Sequence, residues 1–384
     1  MGLITVKPKR IIVFDTLRAV AIMMMLQGHF IKLTFEGFDT FKTLYYSNGT
    51  SGSILFDTWF RIKVYTAPFF FMISGVVFVY LLLLKKEETS YVRQRLLKGF
   101  KRGALLILIG YLLQVNLRAF LDTFSSTEPW IYAFHILQCI GAGIIALSGL
   151  FYLHLKIPQV QLWVFYLIAM FVFLFLYIEL NNLTSSALYL SFPQLIQNAI
   201  EGPHSVFPIV PWLIFIFFGG FLGTLFKRYN KKIENLGFNI ILMVFGLLFH
   251  YLCLRSTLAF LDVRILFIHL NPWGVYKFSW LFKCMGLFVF AIGFCNVLLK
   301  NKWIRQIPFS YLGKDTLTIY VVHCILLYGS VFGFGIKTFY KNSLSAFESI
   351  FYAGLFLVFF MLVIDFKQKG RFKKISKFEF KPTF

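Results

Sequence analysis

Apolar runs of about 20 residues, the length that carries a helix across the hydrocarbon core of a bilayer, recur along this chain from end to end. They lie near residues 11–31, 64–84, 103–121, 134–153, 161–180, 207–226, 238–256, 278–299, 312–330 and 346–365. Of 384 residues, 59% are hydrophobic and only 14% charged, and mean hydropathy is +0.75. Such a composition excludes an ordinary water-soluble domain. The expectation is an all-α polytopic membrane protein, a single bundle of about ten helices forming one domain over residues 1–384. No long linker or low-complexity block divides it.

A net charge of +22 raises nucleic acid as a partner, but the positions of Lys and Arg argue otherwise. They concentrate at Lys7, Lys9 and Arg10, in Lys85–Arg102, in Lys227–Lys232, in Lys300–Arg305 and in the tail 366–384. These are alternate connections of the predicted bundle, so the positive-inside rule places both termini in the cytoplasm. The charge is topological, with anionic lipid headgroups as its partners, and no nucleic acid is expected. The N-terminal basic residues lead straight into a full-length span without a small-residue cleavage site, so the first helix is expected to be retained.

The longest outer connections, 32–63 and 181–206, are placed to cover whatever opens outward. The basic connection 85–102 reads as an interfacial amphipathic helix. Small residues four apart, Gly219 with Gly223 and Gly329 with Gly333, would let helices approach closely. Cys139, Cys253, Cys284, Cys295 and Cys324 lie inside predicted helices with no C-x-x-C pair and no metal-ligand spacing; they read as packing residues, and no metal is expected.

The first helix is the exception to this apolar pattern, because it carries Asp15, Arg18 and His29. Lipid tolerates such groups only where they face a bundle interior or a wet cavity, which makes them functional-site candidates. Arg18 and His29 are about three helical turns apart, ~16 Å along the axis and on one face. Asp15 lies one turn before Arg18 and can pair with it.

The run Arg10-Ile11-Ile12-Val13-Phe14-Asp15-Thr16-Leu17-Arg18-Ala19-Val20-Ala21-Ile22, closed by Met25 and His29, resembles the opening of the transmembrane acyltransferases. It is similar above all to the heparan-α-glucosaminide N-acetyltransferase family, whose first core helix reads R-x-x-x-x-D-x-L/F-R-G-x-A-I. The Arg-x10-His spacing is also the signature of the type 3 acyltransferases, an allied family of envelope O-acetylating enzymes. Further matches follow in family order: Ala67-Pro68-Phe69-Phe70-Phe71 with Ser74-Gly75; His135-Ile136-Leu137-Gln138-Cys139-Ile140-Gly141; Phe207-Pro208-Ile209-Val210-Pro211-Trp212 leading to Gly219 and Gly223; and Leu312-Gly313-Lys314-Asp315-Thr316-Leu317-Thr318-Ile319-Tyr320 ending at His323. The chain departs from the pattern at Ala19, where the family has Gly. It also has no histidine between Lys32 and Lys63, where the lysosomal relatives place the catalytic one; their residue matching His29 is an active-site asparagine.

The resemblance implies an acyl-CoA-dependent membrane acyltransferase moving an acyl, foremost an acetyl, group to an amino or hydroxyl group of an envelope sugar, glycan or lipid-linked acceptor. Acyl transfer from a thioester needs a base for the acceptor's proton and donors for the oxyanion, and neutral imidazole suits the first task at pH 7. His29 is the candidate base, with Asp15 and Arg18 on its helix. His135, Arg118, Asn116 and His323 are the candidate acceptor-binding residues. Arg93, Arg95, Lys98 and Arg102 are candidates for the phosphates of coenzyme A, since guanidinium forks suit phosphate geometry. The composition points to a bacterial inner membrane, with self-association or a membrane complex left open. The competing expectation is a non-catalytic subunit or a transporter built on the same scaffold, because fold does not imply function.

Overall fold

The computed structural model describes residues 12–118, 129–202, 204–252, 272–301, 312–313 and 315–368. The basic N-terminus, residues 119–121 and 253–256 of two predicted spans, most of Lys300–Arg305 and the tail beyond residue 368 lie outside these. Among the described residues the chain is helical, with two isolated β-bridges as its only strand-like pairing. Helix α1 runs Ile12–Thr34, α2 Phe38–Asn48, α3 Ile54–Lys63, α4 Thr66–Leu82 and α5 Thr89–Leu112. Helices α6 (Ile136–Lys156), α7 (Leu162–Ile178), α8 (Ile209–Arg228), α9 (Leu236–Leu252) and α10 (Pro272–Leu298) follow. The chain ends in α11 (Thr316–His323), which runs into a π-helical turn Cys324–Tyr328, and α12 (Ala346–Gln368).

Among the described residues five stretches are long and apolar enough to cross a membrane: Ile54–Leu82, Ile136–Lys156, Ile209–Arg228, Phe278–Leu298 and Ala346–Lys367. Helices Leu162–Ile178, Leu236–Leu252 and Thr316–Tyr328 are apolar but shorter. In α1, Asp15, Arg18, Gln27 and His29 interrupt the apolar run. The outward surface supports a lipid setting: Ile241 and Leu248 on α9 are 65% and 55% exposed, and Phe347 and Leu362 on α12 are 79% and 64% exposed. Apolar faces of this extent are not left in water. The chain is an all-helical integral membrane protein.

Two predicted elements take a different form. The basic connection 85–102 is not a separate interfacial helix: α5 starts at Thr89 and continues unbroken through Gly103 to Leu112. The span predicted at 103–121 therefore leaves helix early, and the backbone at 115–117 pairs with Val331. The pair Gly329 and Gly333 does not serve helix contact either. Both have positive φ, +72° and +82°, a conformation glycine adopts without steric cost, and they shape the turn after the π-helical segment.

By packing, the chain forms two compact units, one of Met1–Leu17, Pro68–Gly110 and Tyr132–Gln306, the other of Arg18–Ala67, Tyr111–Ile131 and Ile307–Phe384. In the first, α4 and α8 touch backbone to backbone, as the Gly219/Gly223 spacing predicts: a Cβ at Gly219 would lie 2.2 Å from the Met72 carbonyl oxygen, and one at Gly223 2.8 Å from that of Val76. In the second, α1 packs along α12, with Phe30 against Phe356 at 5.4 Å between ring centroids and the buried Thr34 hydroxyl donating to Ser349 Oγ at 3.2 Å. The connection 32–63 folds as α2 and α3 around Phe38, Phe41 and Phe60. Asp57 anchors the chain between them, accepting from the Thr50 and Ser51 hydroxyls at 2.6 Å each.

Candidate active site

Helix α1 is continuous from Ile12 to Thr34, so the spacing of Arg18 and His29 holds along one rod. Toward its N-terminal end, the half-buried Arg18 guanidinium donates to the Gly313 carbonyl at 3.2 Å. That carbonyl belongs to the Leu312-Gly313 pair just before α11, which joins two of the sequence matches in one contact.

Three turns further on, His29 meets the end of α11. Its Nδ1 lies 2.7 Å from the Tyr328 hydroxyl, and the two rings stand nearly perpendicular, 82° apart with centroids at 5.8 Å. His323, 1% exposed, lies obliquely against His29 with ring centroids at 5.5 Å and meets the Tyr320 ring edge-to-face at 5.0 Å. Its ring nitrogens have Cys324 Sγ as neighbour at 3.8 and 3.9 Å. An α-helix would set His323 and Tyr328 about 140° apart around its axis. The wider i→i+5 turn at Cys324–Tyr328 reduces that angle, and both rings come to His29, 6.5 Å from each other.

Helices α2 and α3 are fastened to α1 beside the imidazole. The Lys63 ammonium donates to the Gly28 carbonyl at 3.1 Å and lies over the rings of Trp59 (4.8 Å) and Phe38 (5.4 Å). The Trp59 indole N–H donates to Gln27 Oε1 at 2.7 Å. Gly28 makes room for this: a Cβ there would stand 2.8 Å from Lys63 Cε. Cation–π and charge-assisted bonds of this kind hold best where water is scarce.

Asn116 and Arg118 fall in the same unit as His29 and His323. The backbone around them pairs with Val331, three residues past Tyr328, through Val331 N–H to Val115 O at 3.0 Å and Leu117 N–H to Val331 O at 2.9 Å. The exposed Arg118 guanidinium covers the Phe334 ring at 5.6 Å. His29, His323, Asn116 and Arg118 are thus gathered on and around the turn that follows α11.

The remaining candidates, Asp15, His135, Arg93, Arg95, Lys98 and Arg102, belong to the other unit. His135 immediately precedes α6 and its carbonyl accepts from Cys139 N–H at 3.0 Å. On α5, Arg95, Lys98 and Arg102 share one stripe within about 60°, while Arg93 points about 160° away from Arg95. Arg95 Nε donates to the Tyr91 hydroxyl at 3.1 Å; Arg93, Lys98 and Arg102 are exposed, and none of these four has a carboxylate within salt-bridge distance among the described residues. The stripe fits a phosphate ligand. Among the described residues no cluster of three or more metal-ligating side chains forms.

Tyr328 and Lys63 escape a sequence reading. Nothing in the spacing links residue 29 to residue 328, and the motif ending at His323 stops one turn short; a lysine closing an aromatic segment, Trp59-Phe60-Arg61-Ile62-Lys63, is at best a weak signal.

A family model described as an acyltransferase domain matches residues 11–366, from the start of α1 to the end of α12. The chain belongs to the acyltransferase-3 family. Of the two resemblances carried by α1, the Arg-x10-His pattern is the one this family shares, and the acyltransferase-3 match spans every residue of the His29 cluster. No curated protein matches the chain closely enough to serve as a relative.

Proposed function

We propose that this acyltransferase-3 protein moves an acyl group, foremost acetyl, from cytoplasmic acyl-CoA to a hydroxyl or amino group of an envelope sugar, glycan or lipid-linked acceptor, with His29 as the base. The observation that carries the reading is the hydrogen bond between His29 Nδ1 and Tyr328 Oη at 2.7 Å, inside a chain matched over its length by an acyltransferase domain. A base is useful only when held by a second group, and Tyr328 holds this one.

In this reading about ten spans place both termini in the cytoplasm of a bacterial inner membrane. Arg95, Lys98 and Arg102 at the start of α5 then face the compartment that holds acyl-CoA and grip its phosphates. His29 takes the acceptor's proton as the acceptor attacks the thioester carbonyl. Arg18, bonded to Gly313, fixes α1 against the start of α11, so that His29 and His323 stay in register. Asn116, Arg118 and His323 contact the acceptor, and membrane lipids are the standing partners.

The test is incubation of the purified protein with radiolabelled acetyl-CoA and an envelope extract. Label is expected in a sugar-containing product with the parent protein, and His29→Gln should lower its rate of formation by about 10²–10⁴, the usual yield of general-base catalysis. Unchanged labelling by His29→Gln would remove the base assignment, and no labelling by the parent would remove the activity.

A further inference from the structure

The hydrogen bond between His29 and Tyr328 has two possible directions, and they lead to different chemistry. A neutral imidazole carries one N–H, and a tyrosine hydroxyl carries one hydrogen and two lone pairs. If His29 Nδ1–H donates, the Tyr328 hydrogen needs another acceptor and Nε2 is the free base. If Tyr328 donates, Nδ1 is the acceptor and Nε2 carries the hydrogen. Among the described residues the two side chains hydrogen-bond only each other, so each arrangement leaves one hydrogen, on Tyr328 Oη or on His29 Nε2, without a protein acceptor; the phenol is the more acidic donor and the imidazole nitrogen the more basic acceptor, which selects the second. The basic lone pair of His29 is then on Nδ1, and Tyr328 stands in front of it.

We propose that Tyr328 relays the acceptor's proton to His29, so that substrate reaches the base only through the tyrosine hydroxyl. This rests on the acyl-transfer reading above. As the acceptor oxygen or nitrogen bonds to the thioester carbonyl carbon, its proton passes to Tyr328 Oη while the Tyr328 hydroxyl proton passes to His29 Nδ1. The carbonyl π pair moves onto oxygen, then returns as the C–S bond breaks with its electrons on sulfur. The proton on Nδ1 goes back across Tyr328 Oη to that thiolate, and both side chains end as they began. Tyrosine ionises near pH 10 and imidazole near 6.5 in water, roughly, so the two transfers are concerted and no free tyrosinate forms.

The position of Tyr328 suits the role. It is half-buried, as His29 is, whereas His323 is enclosed. It closes the π-helical turn and is followed by Gly329 in the left-handed region, which turns the chain toward the segment carrying Asn116 and Arg118. π-Helical turns of this kind recur at functional sites. His323, whose ring lies against that of His29, takes no proton in this scheme.

Two measurements on the full-length protein in detergent or nanodiscs decide it. With histidine labelled by 15N, and the His29 signals assigned by their loss in His29→Gln, the resting protein should show the Nε2–H tautomer of His29; the Nδ1–H tautomer overturns the relay without reference to any turnover. In the acetyl-CoA and envelope-extract assay, Tyr328→Phe keeps the ring and removes the relay oxygen. It should lose about 10²-fold or more in turnover, as His29→Gln does, with acetyl-CoA binding within twofold of the parent. Tyr328→Phe turning over within about threefold of the parent while His29→Gln is inactive overturns the relay and leaves the base assignment standing. If His29→Gln is itself fully active, the base assignment falls and the relay with it.

Discussion

The charged stripe at the start of α5 offers the most quantitative test of donor binding. Arg95 and Arg102 lie on one face of the helix with Lys98 between them, and Arg93 lies about 160° round from Arg95. A guanidinium bonded to phosphate contributes about 1.5–3 kcal/mol, and the open setting of Arg102 argues for the low end. Replacing Arg95 and Arg102 together by Gln should therefore weaken acetyl-CoA binding by ~3 kcal/mol, or ~100-fold in Kd. The readout is the stabilisation of the detergent-solubilised protein by acetyl-CoA, which follows RT ln(1 + [L]/Kd). At a concentration of about 100 times the parent Kd, the parent gains ~2.7 kcal/mol and the double variant only ~0.4 kcal/mol. Arg93→Gln should retain the parent's gain. Equal losses from Arg93→Gln and the double variant would show that net charge matters and the stripe does not; an undiminished gain in the double variant would reduce the stripe to a topological signal.

Four further outcomes are expected. Gly219→Ala places a methyl 2.2 Å from the Met72 carbonyl oxygen, so α4 and α8 must part and about 1–3 kcal/mol is lost; an unchanged thermal midpoint would contradict the contact. Arg18→Gln gives up the charge-assisted bond to Gly313, which should lower stability by about 1.5–3 kcal/mol, read as a lower midpoint in the absence of any ligand. Lys63→Met keeps the apolar stem over Gly28 but loses the ammonium, so limited proteolysis should cut the connection between α2 and α3 faster than in the parent; parent-like cleavage would argue that the ammonium does not hold these helices. Single cysteines at Ser51 and Ser185 should be labelled from outside the cell and one at Ser90 should not, as the positive-inside rule requires; outside labelling at Ser90 reverses the orientation.

Helices were legible wherever an apolar run had nothing to compete with it, as in α6, α8 and α12, where the observed ends fall within a few residues of the predicted ones. They were less legible where a polar stretch is itself helical. Residues 89–102 form one helix with the apolar residues after them, because no proline or other strong breaker stands between Thr89 and Leu112. The glycine pair on α8 was read correctly because helix contact depends on local spacing, whereas Gly329 and Gly333 have the same spacing but a turn conformation that spacing cannot reveal. At the candidate site, an imidazole in an apolar helix announces itself by its cost in lipid, so His29 and His323 stood out. Tyr328 did not, since tyrosine is ordinary in such helices and its partner lies 299 residues away. Lys63 was hidden for a related reason: its acceptor is a backbone carbonyl, which every residue carries.

The π-helical turn between His323 and Tyr328 makes the site depend on chain length as well as on residue identity. Such a turn holds one more residue than the α-helical path it replaces. Straightening the turn to α pitch at unchanged length would swing Tyr328 by about 90° around the axis, whereas deleting one residue among Ile325, Leu326 and Leu327 as well would set it four α positions from His323, about 40° round and close to where the π turn holds it. A chain of this family with the same histidines and tyrosine and an unbroken α-helix of equal length here would keep the composition of the site and lose its geometry, while one that is a single residue shorter would keep both.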